Sequence, residues 1–455
     1  MTTPTRRKIA LIGGGGVRTP LVVFGINEAV RQLGAEELVL FDPDAQRVQI
    51  MAELGKAVID REGGSLRLRV ATTIDDAVEG ASFVLNSIRV GGIHARATDE
   101  KVAILNGYPG QETTGPGGVA MALRTVAVAV EQAKLVARLS PQAWLINFTN
   151  PAGLITQAIR HNSDAKVVGI CDTPTEMLHR IRTALGVSED EVECDYVGLN
   201  HLGWVRRILL RGEDVTQRSL ADDSFLSQLY SAPLFEHDLI RTLQLIPTEY
   251  LFFYYSRRKA LENQRKAGTT RGAEVEQFNA ALLTNLAMLL QKGDKKGALA
   301  AYVAYLNVRS GSYMKLEGNS GSLFAANERS AEDPFRAATG YHRIAMEVMT
   351  ALCGKEPQRI IVNTENRGSV ADVDKADIVE VPCILQDGTI TPEPSGSLPE
   401  AVRGLVLSVK AYERAAIEAA LSGSVLTARK AMLLYPPIGE WEPSKELLDQ
   451  LIVHC

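Results

Sequence analysis

The chain has 455 residues, with 49 Lys plus Arg against 54 Asp plus Glu and a formal net charge of −5, a balance that argues against a dedicated nucleic-acid binder. Apolar residues at 45% and charged residues at 23% match ordinary globular usage, which excludes disordered and fibrous classes. Five scattered cysteines, an odd number, exclude a disulfide framework and point to a reducing cytoplasm; no apolar run reaches the ~18 residues of a membrane span, and none heads a signal peptide.

In the first half, short apolar runs alternate with helical periods. Strands are predicted at Lys8–Ile12, Leu38–Phe41, Phe83–Ile88, Trp144–Phe148 and Lys166–Ile170, with helices at Ala120–Leu139 and Ala152–His161 between them. This alternation predicts an α/β fold with a Rossmann-like, doubly wound parallel sheet. Near residue 190 the texture changes: Tyr196–Leu199 and Trp204–Leu210 read as strands of a second, antiparallel sheet. Helices are then predicted at Val275–Gln291, Lys295–Leu306, Ala338–Leu352, Glu400–Leu421 and Ser424–Leu434, with strands at Arg359–Asn363 and Asp377–Val381. No Pro/Gly/Ser-rich linker separates the halves, so two closely packed lobes are expected: residues 1–195 as a dinucleotide-binding domain and 196–455 as a mixed α+β domain.

Chemistry-bearing residues fall at strand ends. Gly13, Gly14, Gly15, Gly16 and Val17 follow the first strand directly, where glycines let the backbone approach a pyrophosphate at the next helix start. The third glycine of G-x-G-x-x-G is absent, so a bare tight turn fits the same residues; Asp42, ending the next strand, adds a carboxylate placed for a ribose hydroxyl. A polar loop runs Gly110-Gln-Glu112-Thr-Thr-Gly-Pro-Gly-Gly118 into an apolar helix, and Glu112 reads either as a proton donor or as a helix-start carboxylate. In Asn147-Phe-Thr-Asn150-Pro151 an amide reaches a substrate hydroxyl, or Asn150 simply caps a helix beginning at Pro151. Cys171 and His201 each end a strand; together they read as a partial metal site with open positions, and separately as a buried thiol and a satisfied core histidine. The stretch Glu249-Tyr250-Leu-Phe-Phe-Tyr254-Tyr255 reads first as core.

With these pieces in order, the chain resembles the NAD- and metal-dependent glycosidases of glycoside hydrolase family 4, most of all the 6-phospho-β-glucosidases. The resemblance is carried by Ile12-Gly-Gly-Gly15 with Thr19-Pro20, Arg89-Val-Gly-Gly92 with Arg96 and Asp99-Glu100, the loop Gly110–Gly118, Asn147–Pro151, Cys171-x-x-Pro174, Gly198-Leu-Asn-His-Leu202, Tyr250-Leu251 with Tyr254-Tyr255, and Val379-Glu-Val-Pro-Cys383. It implies a lactate/malate dehydrogenase-like architecture and a redox route to hydrolysis. On that route NAD⁺ accepts hydride from C3 of the sugar, the C2 proton is removed beside a divalent cation, typically Mn²⁺, the aglycone is eliminated, water adds at C1, and the hydride returns.

Carried onto this sequence, the resemblance makes Cys171 and His201 the metal ligands, Tyr250 the base and Glu112 the candidate acid. Asn150, Arg96 and Arg271 become the sugar and 6-phosphate partners, and Gly13 to Val17 with Asp42 the NAD site. It also implies a phosphorylated sugar substrate and a homodimer or homotetramer. Asp172 stands where many relatives carry Asn, adding a negative charge beside the metal pair, and Cys171-Asp-Thr-Pro174 favours β-linked over α-linked substrates. Three other expectations stay open: the same mechanism on another glycoside, a lactate/malate-type dehydrogenase, and a non-catalytic NAD-binding sensor.

Overall fold

Short leucine-, isoleucine- and valine-rich runs ending in glycine or a polar residue form the parallel strands β1 (Arg7–Ile12), β2 (Ala35–Phe41), β3 (Arg67–Val70), β4 (Ala81–Asn86), β5 (Trp144–Asn147) and β6 (Lys166–Gly169). The structure, a computed structural model, describes residues 6–311, 314 and 333–452. The six strands pair in the order β3-β2-β1-β4-β5-β6, the doubly wound arrangement expected of βα alternation. Arg67-Leu-Arg-Val70 escaped the sequence reading because, at the edge of the sheet, it buries only Leu68.

The strand order reverses between β1 and β4, and that switch point opens the crevice. Gly13 there has φ +89°, and a Cβ on it would lie 2.2 Å from the Ser87 carbonyl oxygen, so only glycine lets the two strand ends approach. β4 stops two residues before its predicted end because Ile88 N–H turns away to the Thr149 hydroxyl at 3.0 Å.

The remaining strands are β7 (Val192–Leu199), β8 (Leu202–Leu210), β9 (Glu213–Asp214), β10 (Ile246–Pro247), β11 (Gln358–Glu365), β12 (Ile378–Gln386) and β13 (Thr389–Pro392). They are antiparallel as expected, but they do not form a second sheet. β11 joins the open edge of β6 through the pair Asn363 with Gly169, and β7 joins β12 through Glu380 with Gly198, giving one 13-stranded sheet. Covering an exposed strand edge removes its unpaired peptide groups. The bridging residues also bond one another, Asn363 Nδ2 donating to Glu380 Oε1 at 2.8 Å.

The helices of the second half lie within a few residues of their predicted bounds. Thr270 and Ser424 cap Arg271–Gln291 and Val425–Leu434, each accepting a backbone N–H of the first turn. One hydrophobic core runs from Ile9 to Leu451 through both halves. Helix Glu400–Ser422 sends fully buried Lys410 to Gln157 Oε1, Ile378 O and Glu413 Oε2, so that charge is fully answered. No helix of the described residues is long and apolar enough to cross a membrane.

Candidate active site

Above the carboxyl ends of β1 and β4 lies a cavity of about 950 Å³ that collects most of the sequence-predicted site residues. Gly13, Gly16, Val17 and Asp42 form one end of its wall; Gly14 and Gly15 stand behind them. Asp42 Oδ2 accepts Gly15 N–H and Oδ1 accepts Asp44 N–H, at 2.9 and 3.0 Å. The carboxylate therefore ties the glycine loop to the end of β2 and keeps lone pairs for a diol. From the second half, Tyr302 OH reaches the Val17 carbonyl at 2.8 Å, clamping the loop from outside.

The loop before helix Gly115–Leu139 is shorter than its sequence suggested, because the helix begins at Gly115 and takes in all three remaining glycines. A Cβ on Gly117 or Gly118 would lie 2.3 or 2.4 Å from the carbonyl oxygen of Gln111 or Thr113, so the first helical turn packs directly on the loop. Glu112 is presented from that loop into the cavity and is paired with Arg89 and, at 3.0 Å, with Arg96 Nη1. Burial pushes the Glu112 carboxyl up, but the two guanidinium groups overcome it and hold the group well below the usual carboxylate range. At neutral pH it is ionised, the wrong state for donating a proton.

Arg96 and Arg271 share a support. Buried Glu100 accepts Arg96 Nε with Oε1 at 2.7 Å and Gly272 N–H with Oε2 at 2.6 Å, so one carboxylate sets the spacing of the two arginines. Arg96 Nη2 has no hydrogen bond to a described residue and remains available to an anion. Arg271 donates to Glu274 and to the Arg309 carbonyl. Arg309, lowered to about 10 by burial and further by Arg18 and Arg271, marks an end of the cavity where three guanidinium groups converge.

Asn147 and Asn150 separate in role. Asn147 is fully buried, spends its amide on Thr149, Ala152 and Thr156 and does not line the cavity, so its role is structural. Asn150 lines the cavity and caps nothing: the helix begins at Ala152, whose N–H is taken instead by Asn200 Oδ1 at 3.1 Å.

His201 occupies the two-residue turn between β7 and β8 with φ +61°, a conformation hairpin turns usually give to Gly or Asn. Its neighbour Asn200 anchors the turn by donating to buried Glu380 at 3.3 Å, a carboxyl also bonded by Tyr196 OH at 2.6 Å. The imidazole is 4% exposed and lies flat against the Tyr250 ring, with centroids 3.6 Å apart and planes 8° apart. Burial lowers it to about 4, so it is neutral at physiological pH. Nδ1 meets the Thr113 hydroxyl at 2.7 Å, whereas Nε2 is buried with no hydrogen-bond partner among the described residues. Cys171, also buried, has its thiol pushed well up by burial and by the nearby Glu380 and Asp172 carboxyls, so it is a neutral thiol that a bound cation would have to deprotonate. A bare imidazole nitrogen and, once deprotonated, an enclosed thiol are both donors to a divalent transition-metal cation. Among the described residues no cluster of three or more such ligands exists, so a cation held by this pair keeps positions open for substrate oxygens.

Asp172 faces the cavity at the start of helix Thr173–Leu185. Burial raises its carboxyl, and the Arg18 charge, held 4.3 Å over the Tyr341 ring, opposes that. Sequence reasoning assigned no role to Arg18, Arg89, Glu100, Thr113, Arg309 or Tyr341. Arg96 and Glu100 stand four residues apart on one helical face, a spacing that signals their pair; Arg309 and Tyr341 carry no local signal, because only packing brings their helices to the cavity.

Residues 8–187 match the family described as Family 4 glycosyl hydrolase, and residues 196–438 match its C-terminal domain. The chain is 31% identical over 453 residues to a probable 6-phospho-beta-glucosidase of Bacillus subtilis (strain 168), covering 98% of this chain and 95% of that one. The 6-phospho-beta glucosidase of Thermotoga maritima, solved with NAD and glucose-6-phosphate, superposes with a TM-score of 0.82 at 26% identity, over 99% of this chain and 98% of that one. The same enzyme solved with manganese, NAD+ and glucose-6-phosphate gives 0.79 at 27% identity, over 98% of each chain. A lactate dehydrogenase of Eimeria maxima, at 14% identity and a TM-score of 0.52 over 93% of this chain and 98% of that one, shares the fold alone, which accords with the dehydrogenase-like architecture expected from the sequence. The chain belongs to family 4 of the glycosyl hydrolases.

Proposed function

We propose that this protein hydrolyses 6-phospho-β-glucosides to glucose 6-phosphate and the free aglycone, using NAD and a divalent cation such as Mn²⁺. The observation that carries the reading is the buried Nε2 of His201, without a partner among the described residues, on an imidazole stacked behind Tyr250, which lines the cavity that also holds the glycine loop. When bound, NAD⁺ supplies a hydride acceptor for C3 of the sugar and the cation supplies a Lewis acid that acidifies the proton on C2.

The residues divide the remaining work. Gly13 to Val17 and Asp42 hold the dinucleotide, and Cys171 and His201 hold the cation. Tyr250, fixed by its stack on His201, would take the C2 proton as its phenolate, having first given its own proton to solvent under the influence of the bound cation. Asn150 orients sugar hydroxyls. Arg96 and Arg271, spaced by Glu100, bind the 6-phosphate with charge-assisted hydrogen bonds, and Arg309 adds its field. Glu112, ionised between Arg89 and Arg96, positions those guanidinium groups; with this pairing, another group protonates the leaving oxygen.

The test is release of p-nitrophenol from p-nitrophenyl β-glucoside 6-phosphate with NAD⁺ and Mn²⁺ each present or omitted, beside the α-linked and unphosphorylated analogues. Turnover that needs both additions and the phosphate, with β preferred, supports the reading. Equal turnover of the unphosphorylated analogue refutes the phosphate assignment, and turnover without NAD⁺ refutes the redox route.

A further inference from the structure

Thr113 is the residue of the Gly110–Gly118 loop that touches the proposed metal pair, and the hydrogen bonds around it favour one direction. Gln111 Oε1 lies 2.5 Å from Thr113 N and 2.7 Å from Thr114 N. Two backbone N–H groups can meet only an acceptor, so this amide atom is the oxygen. The Thr113 hydroxyl lies 2.8 Å from the same atom. The Thr114 hydroxyl also lies 3.2 Å from it, so four donors crowd one oxygen that has no hydrogen to give; the Thr113 hydroxyl donates to Gln111 in the arrangement that leaves no buried donor unpaired at His201. On its other side the hydroxyl oxygen can only accept, and there His201 Nδ1 stands 2.7 Å away. Nδ1 therefore carries the hydrogen. A neutral imidazole has one N–H, which leaves Nε2 with an unshared lone pair, and Nε2 is the atom found buried without a partner. The opposite tautomer would place two hydroxyl-side lone pairs against Gln111 and bury an Nε2–H donor with no acceptor.

We infer that Gln111 and Thr113 are positioning residues that lock His201 in its Nδ1–H tautomer and so present the Nε2 lone pair to the divalent cation. Packing reinforces the relay. The helix glycines at 117 and 118 pack closely on the carbonyl oxygens of Gln111 and Thr113, and the Tyr250 ring covers one face of the imidazole, which holds Thr113 and the ring in register. An outer partner on the second ring nitrogen is the general means by which proteins set the orientation and basicity of a histidine ligand. The inference rests on Cys171 and His201 being the metal pair, but the lock itself is a property of the metal-free protein.

The test uses the full chain with ¹⁵N-labelled histidine, treated with chelator, as wild type, Thr113→Val and Thr113→Ser. Two-bond ¹⁵N–¹H spectra report which ring nitrogen is protonated, and a His201→Gln spectrum identifies the signal. Wild type and Thr113→Ser should show Nδ1–H, and Thr113→Val should lose it. In a second arm Mn²⁺ alone is titrated and the free ion read by electron paramagnetic resonance. Thr113→Val should bind it about 10–100-fold more weakly and Thr113→Ser should restore binding, with NAD⁺ affinity the same in all three. An Nε2–H wild type overturns the inference, as does a Thr113→Val protein with unchanged tautomer and Mn²⁺ affinity. A wild type that shows Nδ1–H but binds no Mn²⁺ supports the lock and overturns the metal pair instead. Should Thr113→Val fail to fold, the wild-type spectrum still decides.

Discussion

Glu380→Gln isolates the buried carboxyl beneath the His201 turn. Glu380 is 1% exposed and accepts from Tyr196 OH at 2.6 Å, Asn363 Nδ2 at 2.8 Å and Asn200 Nδ2 at 3.3 Å. Burial lifts it from its ordinary 4.5 to about 7, although all three donors oppose the rise. Because the folded value lies above the unfolded one, the fold holds this proton more tightly than the open chain does. The resulting stabilisation is complete below 4.5 and is lost as pH rises through about 7, at about 1.4 kcal/mol per tenfold change in proton affinity and so about 3 kcal/mol in all.

Glutamine copies the protonated acid in shape and cannot ionise. Near pH 5 the variant should differ from wild type by about 1 kcal/mol, the value of one rearranged hydrogen bond at Tyr196. By about pH 8.5 wild type bears the full burden of a buried charge, and the variant should have gained about 3 kcal/mol relative to it, becoming the more stable protein. Urea unfolding of the metal-free proteins at several pH values, followed by tryptophan fluorescence and circular dichroism with slopes compared, measures the gap. A gap that stays constant across that range refutes the argument that burial dominates this carboxyl.

The other predictions concern the site. Tyr250→Phe should keep substrate and Mn²⁺ binding but lose exchange of the C2 hydrogen in heavy water; undiminished exchange assigns the base to another group. Cys171→Ser and His201→Ala should each abolish Mn²⁺-dependent turnover while the thermal unfolding midpoint stays near wild type, and turnover retained in both excludes the metal pair. Gly13→Ala places a Cβ 2.2 Å from the Ser87 carbonyl oxygen at φ +89°, which should weaken NAD⁺ binding at least tenfold in a calorimetric titration and lower stability by more than the ~1–2 kcal/mol of the backbone conformation alone. Glu112→Gln should lower kcat/KM for the phosphorylated substrate yet leave both limbs of the pH–rate profile in place above pH 4, since the native carboxylate is already ionised there; a limb that vanishes returns the proton-donor role to Glu112.

Much of the architecture is local and therefore readable from the chain alone. Alternating apolar strands and amphipathic helices determine a doubly wound sheet, a glycine run after β1 determines close approach of backbone at the switch point, and Thr270 or Ser424 before a helical period determines where that helix starts. Cys171, His201 and Tyr250 could be singled out because each belongs to a motif recognisable as a string. Edges and partners were not local. Whether β11 extends the parallel sheet or founds another depends on Asn363 pairing with Gly169 at the open edge of β6, and the join of β7 depends on Glu380 pairing with Gly198, contacts between segments roughly 180–195 residues apart in the chain. Likewise, Asn147 and Asn150 are indistinguishable as letters, and only packing turns one into the protein interior and the other toward the cavity. Glu112 looks like an acid until Arg89 and Arg96 fold against it, and a histidine has no preferred tautomer until a hydroxyl 88 residues away is placed beside it. The physical reason is common to these cases: the protonation and direction of a polar group are set by its neighbours in space, which the order of residues along the chain does not state.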